Sequence, residues 1–112
     1  MDSPDAVPDG PRAQHDVLRA IVERIASHPG VMKIYLAGSL ASGQADAYSD
    51  VDLVVHVDPL WTTQVWMDRE QLVAICVERV LDLGHQWGGP DLSYAVLYQN
   101  GVYLDLTFVA WI

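Results

Sequence analysis

The chain has 112 residues, 51% of them hydrophobic and 19% charged, a composition that fits one globular domain and excludes a disordered or fibrous chain. Fifteen acidic residues against six basic ones give a formal charge of −9, which disfavours long DNA or RNA as a ligand, because nucleic-acid binding draws on clustered lysines and arginines. No apolar run approaches the ~18 residues needed to span a bilayer, and the acidic start Met1-Asp2-Ser3-Pro4-Asp5 lacks the basic-then-apolar order of a signal peptide, so the expected address is the cytoplasm.

Residues 1–10 carry prolines, glycine and aspartates without periodicity and are expected to form a flexible arm ahead of a domain over 11–112. Pro11 is placed to open a helix, Val17, Leu18, Ile21, Val22 and Ile25 recur at helical spacing, and His28-Pro29-Gly30 supplies the stop. Val31 to Ala37 reads as a short buried strand ended by Gly38-Ser39. Leu40 to Ser49 reads as a helical turn and loop, and Val51 to Val57 as a second strand closed by Asp58-Pro59.

The signal is weak from Trp61 to Met67. Asp68 and Glu70 then place acid at the start of a run through Leu72, Val73, Ile75, Cys76, Val80 and Leu81, which predicts a helix ending near Gly84. Within it Cys76, the single cysteine, is expected to be a small core residue. Ser93 to Gln99 and Val102 to Val109 are β-rich and flank Asn100-Gly101, the pair favoured in two-residue hairpin turns. The expected fold is α/β (α+β), a mixed sheet of four to five strands with helices packed on it.

Asp50 and Asp52 stand two apart at the start of the second strand, so both carboxylates share one face while Val51, Leu53 and Val55 point into the core. Like charges held that close are most readily kept by a cation between them. In the last strand Asp105 lies on the face of Tyr103 and Thr107, between hydrophobic neighbours, and a carboxylate there needs a partner. If the two strands are adjacent, three carboxylates converge in an oxygen-rich set suited to magnesium and substrate phosphates. Gly38 lets a phosphate approach the backbone, and the Ser39 hydroxyl and nearby N–H groups can meet phosphate oxygens. Ser49 and Tyr48 put further hydroxyls beside the carboxylates. By contrast His15, His28, His56 and His85 have no mutual spacing suited to zinc. Trp61, Trp66, Trp87 and Trp111 are read as packing or interface residues.

The run Gly38-Ser39-Leu40-Ala41-Ser42-Gly43-Gln44-Ala45-Asp46-Ala47-Tyr48-Ser49-Asp50-Val51-Asp52-Leu53-Val54-Val55, followed at a distance by Asp105 in an apolar strand, resembles the signature of the DNA polymerase beta-like nucleotidyltransferase superfamily. Within it the likeness is to minimal nucleotidyltransferases and to aminoglycoside or lincosamide nucleotidyltransferases. The resemblance implies two Mg²⁺ ions held by Asp50, Asp52 and Asp105, nucleotide contacts from Gly38, Ser39 and Ser49, and an enzyme that moves a nucleoside monophosphate from ATP or another NTP to a hydroxyl of a small acceptor, such as an aminoglycoside-type antibiotic, with release of pyrophosphate. The alternative it implies is an antitoxin that binds or nucleotidylates a helical toxin partner. Two departures stand out: Ser42 occupies a position where many relatives carry arginine, and the interval from Asp52 to Asp105 exceeds that of the smallest antitoxin-type members. The longer branches usually carry a C-terminal helical domain, so a further domain or a partner chain is expected to supply the wall that residues up to Ile112 do not.

Overall fold

Val17, Ile21 and Ile25 recur every fourth residue and have no exposed surface, so they fix the face of helix α1 (Gly10–Ala26) that packs on the sheet. Leu18 and Val22 flank that stripe against the same core. Ser27 and His28 still donate to Arg24 and Ile25 carbonyls, but Pro29 has no N–H to give and disfavours helical geometry in the residue before it. The computed structural model describes residues 10–38, 50–86 and 92–110. The expected arm over 1–10 falls outside them except for Gly10, which opens α1, and the expected turn over 40–49 lies outside them altogether.

Strand β1 (Val31–Ala37) runs antiparallel to β2 (Val51–Val57), where the alternation anticipated from the sequence holds at every position: Val51, Leu53, Val55 and Val57 are buried and Asp52, Val54 and His56 are half-buried. A 3₁₀ turn (Pro59–Trp61) and two short helices, α2 (Thr62–Met67) and α3 (Arg69–Leu72), follow, before β3 (Arg79–Gln86), β4 (Leu92–Tyr98) and β5 (Tyr103–Ala110) complete a five-stranded sheet in the order β1-β2-β5-β4-β3. The β2–β5 pair is parallel and the others antiparallel, which makes the sheet mixed, as expected.

Four local expectations are corrected. The run from Asp68 to Leu81 is not one helix: α3 ends at Leu72, residues 73–78 are irregular, and β3 begins at Arg79. The physical reason lies in β4, which is buried on both faces over Ser93–Val96 and needs a hydrogen-bonding neighbour on each edge. Strand β3 supplies one of them, and long-range pairing overrides the local helical period. Cys76 is accordingly exposed rather than a core residue. Strand β1 is an edge strand rather than a buried one, with Met32, Tyr35 and Leu36 exposed. The β4–β5 connection is a three-residue turn over Gln99–Gly101, not a two-residue one: Tyr98 N–H donates to Val102 O, and among the described residues no non-glycine residue has positive φ, so the left-handed position falls to Gly101 alone (φ 88°).

The loop between α1 and β1 is held by His28. Its Nε2 lies 2.9 Å from Asp68 Oδ2, its Nδ1 accepts from Gly30 N–H at 3.0 Å, and the Trp61 ring stands edge-on to it at 5.9 Å. With Nδ1 an acceptor, the proton sits on Nε2 and points at the carboxylate. Gln64 donates to both Asp68 oxygens, so α1, β1, the 3₁₀ turn and the two short helices meet at one imidazole. We expect His28→Ala to lower unfolding free energy by about 2 kcal/mol, read by urea titration; a change within error would deny the imidazole this structural role.

Candidate active site

Gly38 ends β1 with φ 71°, a left-handed conformation that glycine adopts without strain. The residue before it, Ala37, lies opposite Asp52 in the β1–β2 register. A Cβ built on Gly38 would collide with Asp52 Oδ2 and approach Asp52 Cγ at 3.2 Å. The backbone of the turn therefore lies directly on the carboxylate, and the missing side chain is what leaves room for it.

Asp52 and Asp105 are register partners on the parallel strands β2 and β5, so their side chains leave the same face of the sheet side by side. Asp50 is exposed and immediately precedes β2. Burial pushes the Asp52 carboxyl above the usual carboxylate range, and the negative charges of Asp105 and then Asp50 push it further in the same direction. The three aspartates expected to converge are thus brought together in one electrostatic neighbourhood. Ser39 and Ser49 lie outside the described residues, so of the expected nucleotide-contacting residues only Gly38 is placed.

Among the described residues no group of three carboxylate, imidazole or thiol side chains closes into a ready ligand cage. The donor chemistry nonetheless suits magnesium: the neighbouring groups are hard carboxylate oxygens, and their mutual repulsion at Asp52 is relieved by a divalent cation. A separate open depression, lined by Arg24, Ser27, His28, Asp68 and Gln71 among others, contains none of these aspartates. Its imidazole has both nitrogens engaged, by Gly30 and Asp68, which leaves it no role as a base there.

Three residues of the same sheet face were not singled out as a group by the spacing of acids. Lys33 lies opposite His56 and Tyr35 opposite Val54, so Lys33, Tyr35 and His56 share the face of Asp52. The Tyr35 and His56 rings meet at 4.9 Å, and Lys33 Nζ stands 5.3 Å from the Tyr35 centroid. The signal that finds them is the period of two along Lys33, Tyr35 and Ala37 once β1 is paired with β2.

A family model described as a nucleotidyltransferase domain matches residues 18–86, more than half of the chain and the part that contains Gly38, Asp50 and Asp52. No curated protein sequence matches the chain. Among solved structures, an aminoglycoside 6-adenyltransferase from Bacillus subtilis superposes with a TM-score of 0.58 at 15% identity, over 87% of this chain and 35% of its own. The Cid1 poly(U) polymerase, solved with MgATP bound, gives a TM-score of 0.59 at 26% identity, over 94% of this chain and 33% of its own. A CdnE c-di-GMP synthase from Capnocytophaga granulosa gives 0.52 at 20% identity, over 98% and 35%. The chain spans about a third of the length of these structures.

Proposed function

Because the chain belongs to the nucleotidyltransferase domain family, we propose that it transfers a nucleoside monophosphate from ATP or another NTP to a hydroxyl of a small acceptor, with Asp50, Asp52 and Asp105 as the catalytic carboxylates. The observation that carries this reading is the in-register pair Asp52 and Asp105 on parallel strands, with Gly38 packed against the first of them. In the reaction a bond forms between the acceptor oxygen and the α-phosphorus, the bond from that phosphorus to the bridging oxygen of the β-phosphate breaks, and pyrophosphate leaves.

Asp105, which pairs in register with Asp52, would complete the metal site or take the acceptor's proton directly as a general base. Asp50 and Asp52 would hold Mg²⁺, two ions by analogy with the family. When bound, magnesium neutralises phosphate charge and lowers the pKa of the acceptor hydroxyl. Gly38 keeps the turn backbone against the Asp52 carboxylate at the end of β1, and the triphosphate would approach that backbone. Most of the rate comes from positioning and charge neutralisation rather than from covalent chemistry of the protein.

The test is incubation with Mg²⁺ and α-labelled NTPs against nucleotides, aminoglycosides, lincosamides and a candidate helical partner protein. Label on a small acceptor with stoichiometric pyrophosphate supports the reading. Label on the protein partner favours the antitoxin alternative, and no label anywhere contradicts both.

A further inference from the structure

Independently of the transferase reading, we propose that strand β1 is a self-pairing edge, along which two copies of this chain join antiparallel, Tyr35 against Tyr35, into one continuous sheet. Among the described residues β1 has β2 on one side and no strand on the other, so its outer edge is open to a further strand. Edge strands are ordinarily guarded against such pairing by charge, proline or a bulge. The far edge, β3, carries the ion pair of Arg79 and Asp82, 2.8 Å apart. Strand β1 has no acidic residue, although the chain has fifteen. Its bulge falls between Val31 and Lys33 and leaves Lys33 to Ala37 as a regular run.

Outward from Tyr35 that run is symmetric in kind, which is why the occupant is a second copy. A two-fold axis at Tyr35 sets Ile34 of each copy against Leu36 of the other and Tyr35 against itself, so the same residues supply both sides of every pair. Ile34 and Leu36 lie opposite Val55 and Leu53, and so take the core side of the sheet, while Tyr35 takes the opposite face. Tyr35 and Leu36 keep 40% and 37% of their surface exposed, and Met32 beside them keeps 55%. Aromatic and aliphatic pairs directly across two strands stabilise a ladder. Lys33 meets Ala37 in this register, so no like charges face each other.

Net charge sets how the copies meet. Two chains of formal charge −9 repel each other, and an edge without carboxylates is where their approach costs least. Added salt screens the remaining repulsion and strengthens the pair. The seam is short, which places it among the small interfaces that associate weakly and reversibly. With the axis perpendicular to the sheet, both Asp52 side chains leave the same side of it. Asp52 lies opposite Ala37, two residues from Tyr35, so the two Asp52 positions stand three strand spacings apart and about 14 Å along the strands, roughly 20 Å in all. Pairing therefore runs along the edge of β1 and not over the carboxylates.

The experiment is sedimentation velocity of the full chain under reducing conditions over a concentration series. A monomer–dimer equilibrium that tightens with added salt is expected. Tyr35→Lys sets like charges face to face at the axis and should weaken the dimer about tenfold or more, whereas Val80→Lys, on the exposed far edge, should leave it unchanged. Thermal melts check that both variants are folded. The register is read by cross-linking in a Cys76→Ser background: Tyr35→Cys should form a disulfide with its own copy on oxidation, and Leu36→Cys, offset from its copy by two residues, should not. A monomer at every concentration, a dimer indifferent to Tyr35→Lys, a dimer lost in Val80→Lys, or equal cross-linking at positions 35 and 36 would overturn the proposal.

Discussion

Asp52→Asn should reduce nucleotidyl transfer by roughly a thousandfold, the scale seen when one preorganised charge-stabilising group is removed, while leaving the fold as stable as before or more so. Most point substitutions cost stability. This one relieves repulsion, because burial and the charges of Asp105 and Asp50 hold the Asp52 carboxyl above the usual carboxylate range. A group whose folded pKa is raised contributes stability that is fully present below its unfolded pKa and is lost as pH rises through the folded value. The stability advantage of Asp52→Asn over the parent should therefore grow from acid toward neutral pH. Asp68 runs the other way: its hydrogen bonds from Gln64 and His28 lower its pKa, so its contribution is present above 3.8 and lost as pH falls through the lowered value. Urea titrations of parent and variant across that range separate the two, and a variant less stable than the parent at neutral pH would contradict the repulsion.

Gly38→Ala is expected to damage both the fold and the chemistry. The left-handed backbone at φ 71° costs an L-residue about 1–2 kcal/mol, and the added methyl would occupy the position of Asp52 Oδ2. Either the turn or the carboxylate must move, and a misplacement of about 1 Å in a catalytic group is enough for a hundredfold loss. The measurement is kcat together with the urea midpoint. A loss of stability with kcat preserved would mean the turn gives way and the carboxylate does not depend on it.

Much of this site was legible in the sequence because its elements obey short-range rules. The alternation from Val51 to Val57 announced which face Asp52 would take, and Leu104, Leu106 and Phe108 did the same for Asp105. What the sequence left open was adjacency, and that came from the sheet order, which sets β5 directly beside β2. The segment after Leu72 misled because its apolar residues fit a helical stripe while the pairing that decides its state is with β4, a strand that begins a full element later. Position 100 misled for a narrower reason: Asn100-Gly101 favours a tight turn, but the register Leu97 to Tyr103 leaves one more residue to close, and Gly101 alone takes the left-handed site. The grouping of Lys33, Tyr35 and His56 on one sheet face could not emerge until β1 was paired with β2 as an edge strand.

Asp105 is the residue on which the account turns, because it comes from the far end of the chain and outside the segment matched by the family model. The direct measurement is Mg²⁺-dependent pyrophosphate release from an α-labelled NTP by the parent and by Asp105→Asn, each shown to be folded by thermal melting. The expected result is turnover by the parent and a loss of about a hundredfold or more in the variant; turnover by the folded variant at the parent's rate would contradict a site built from these three carboxylates.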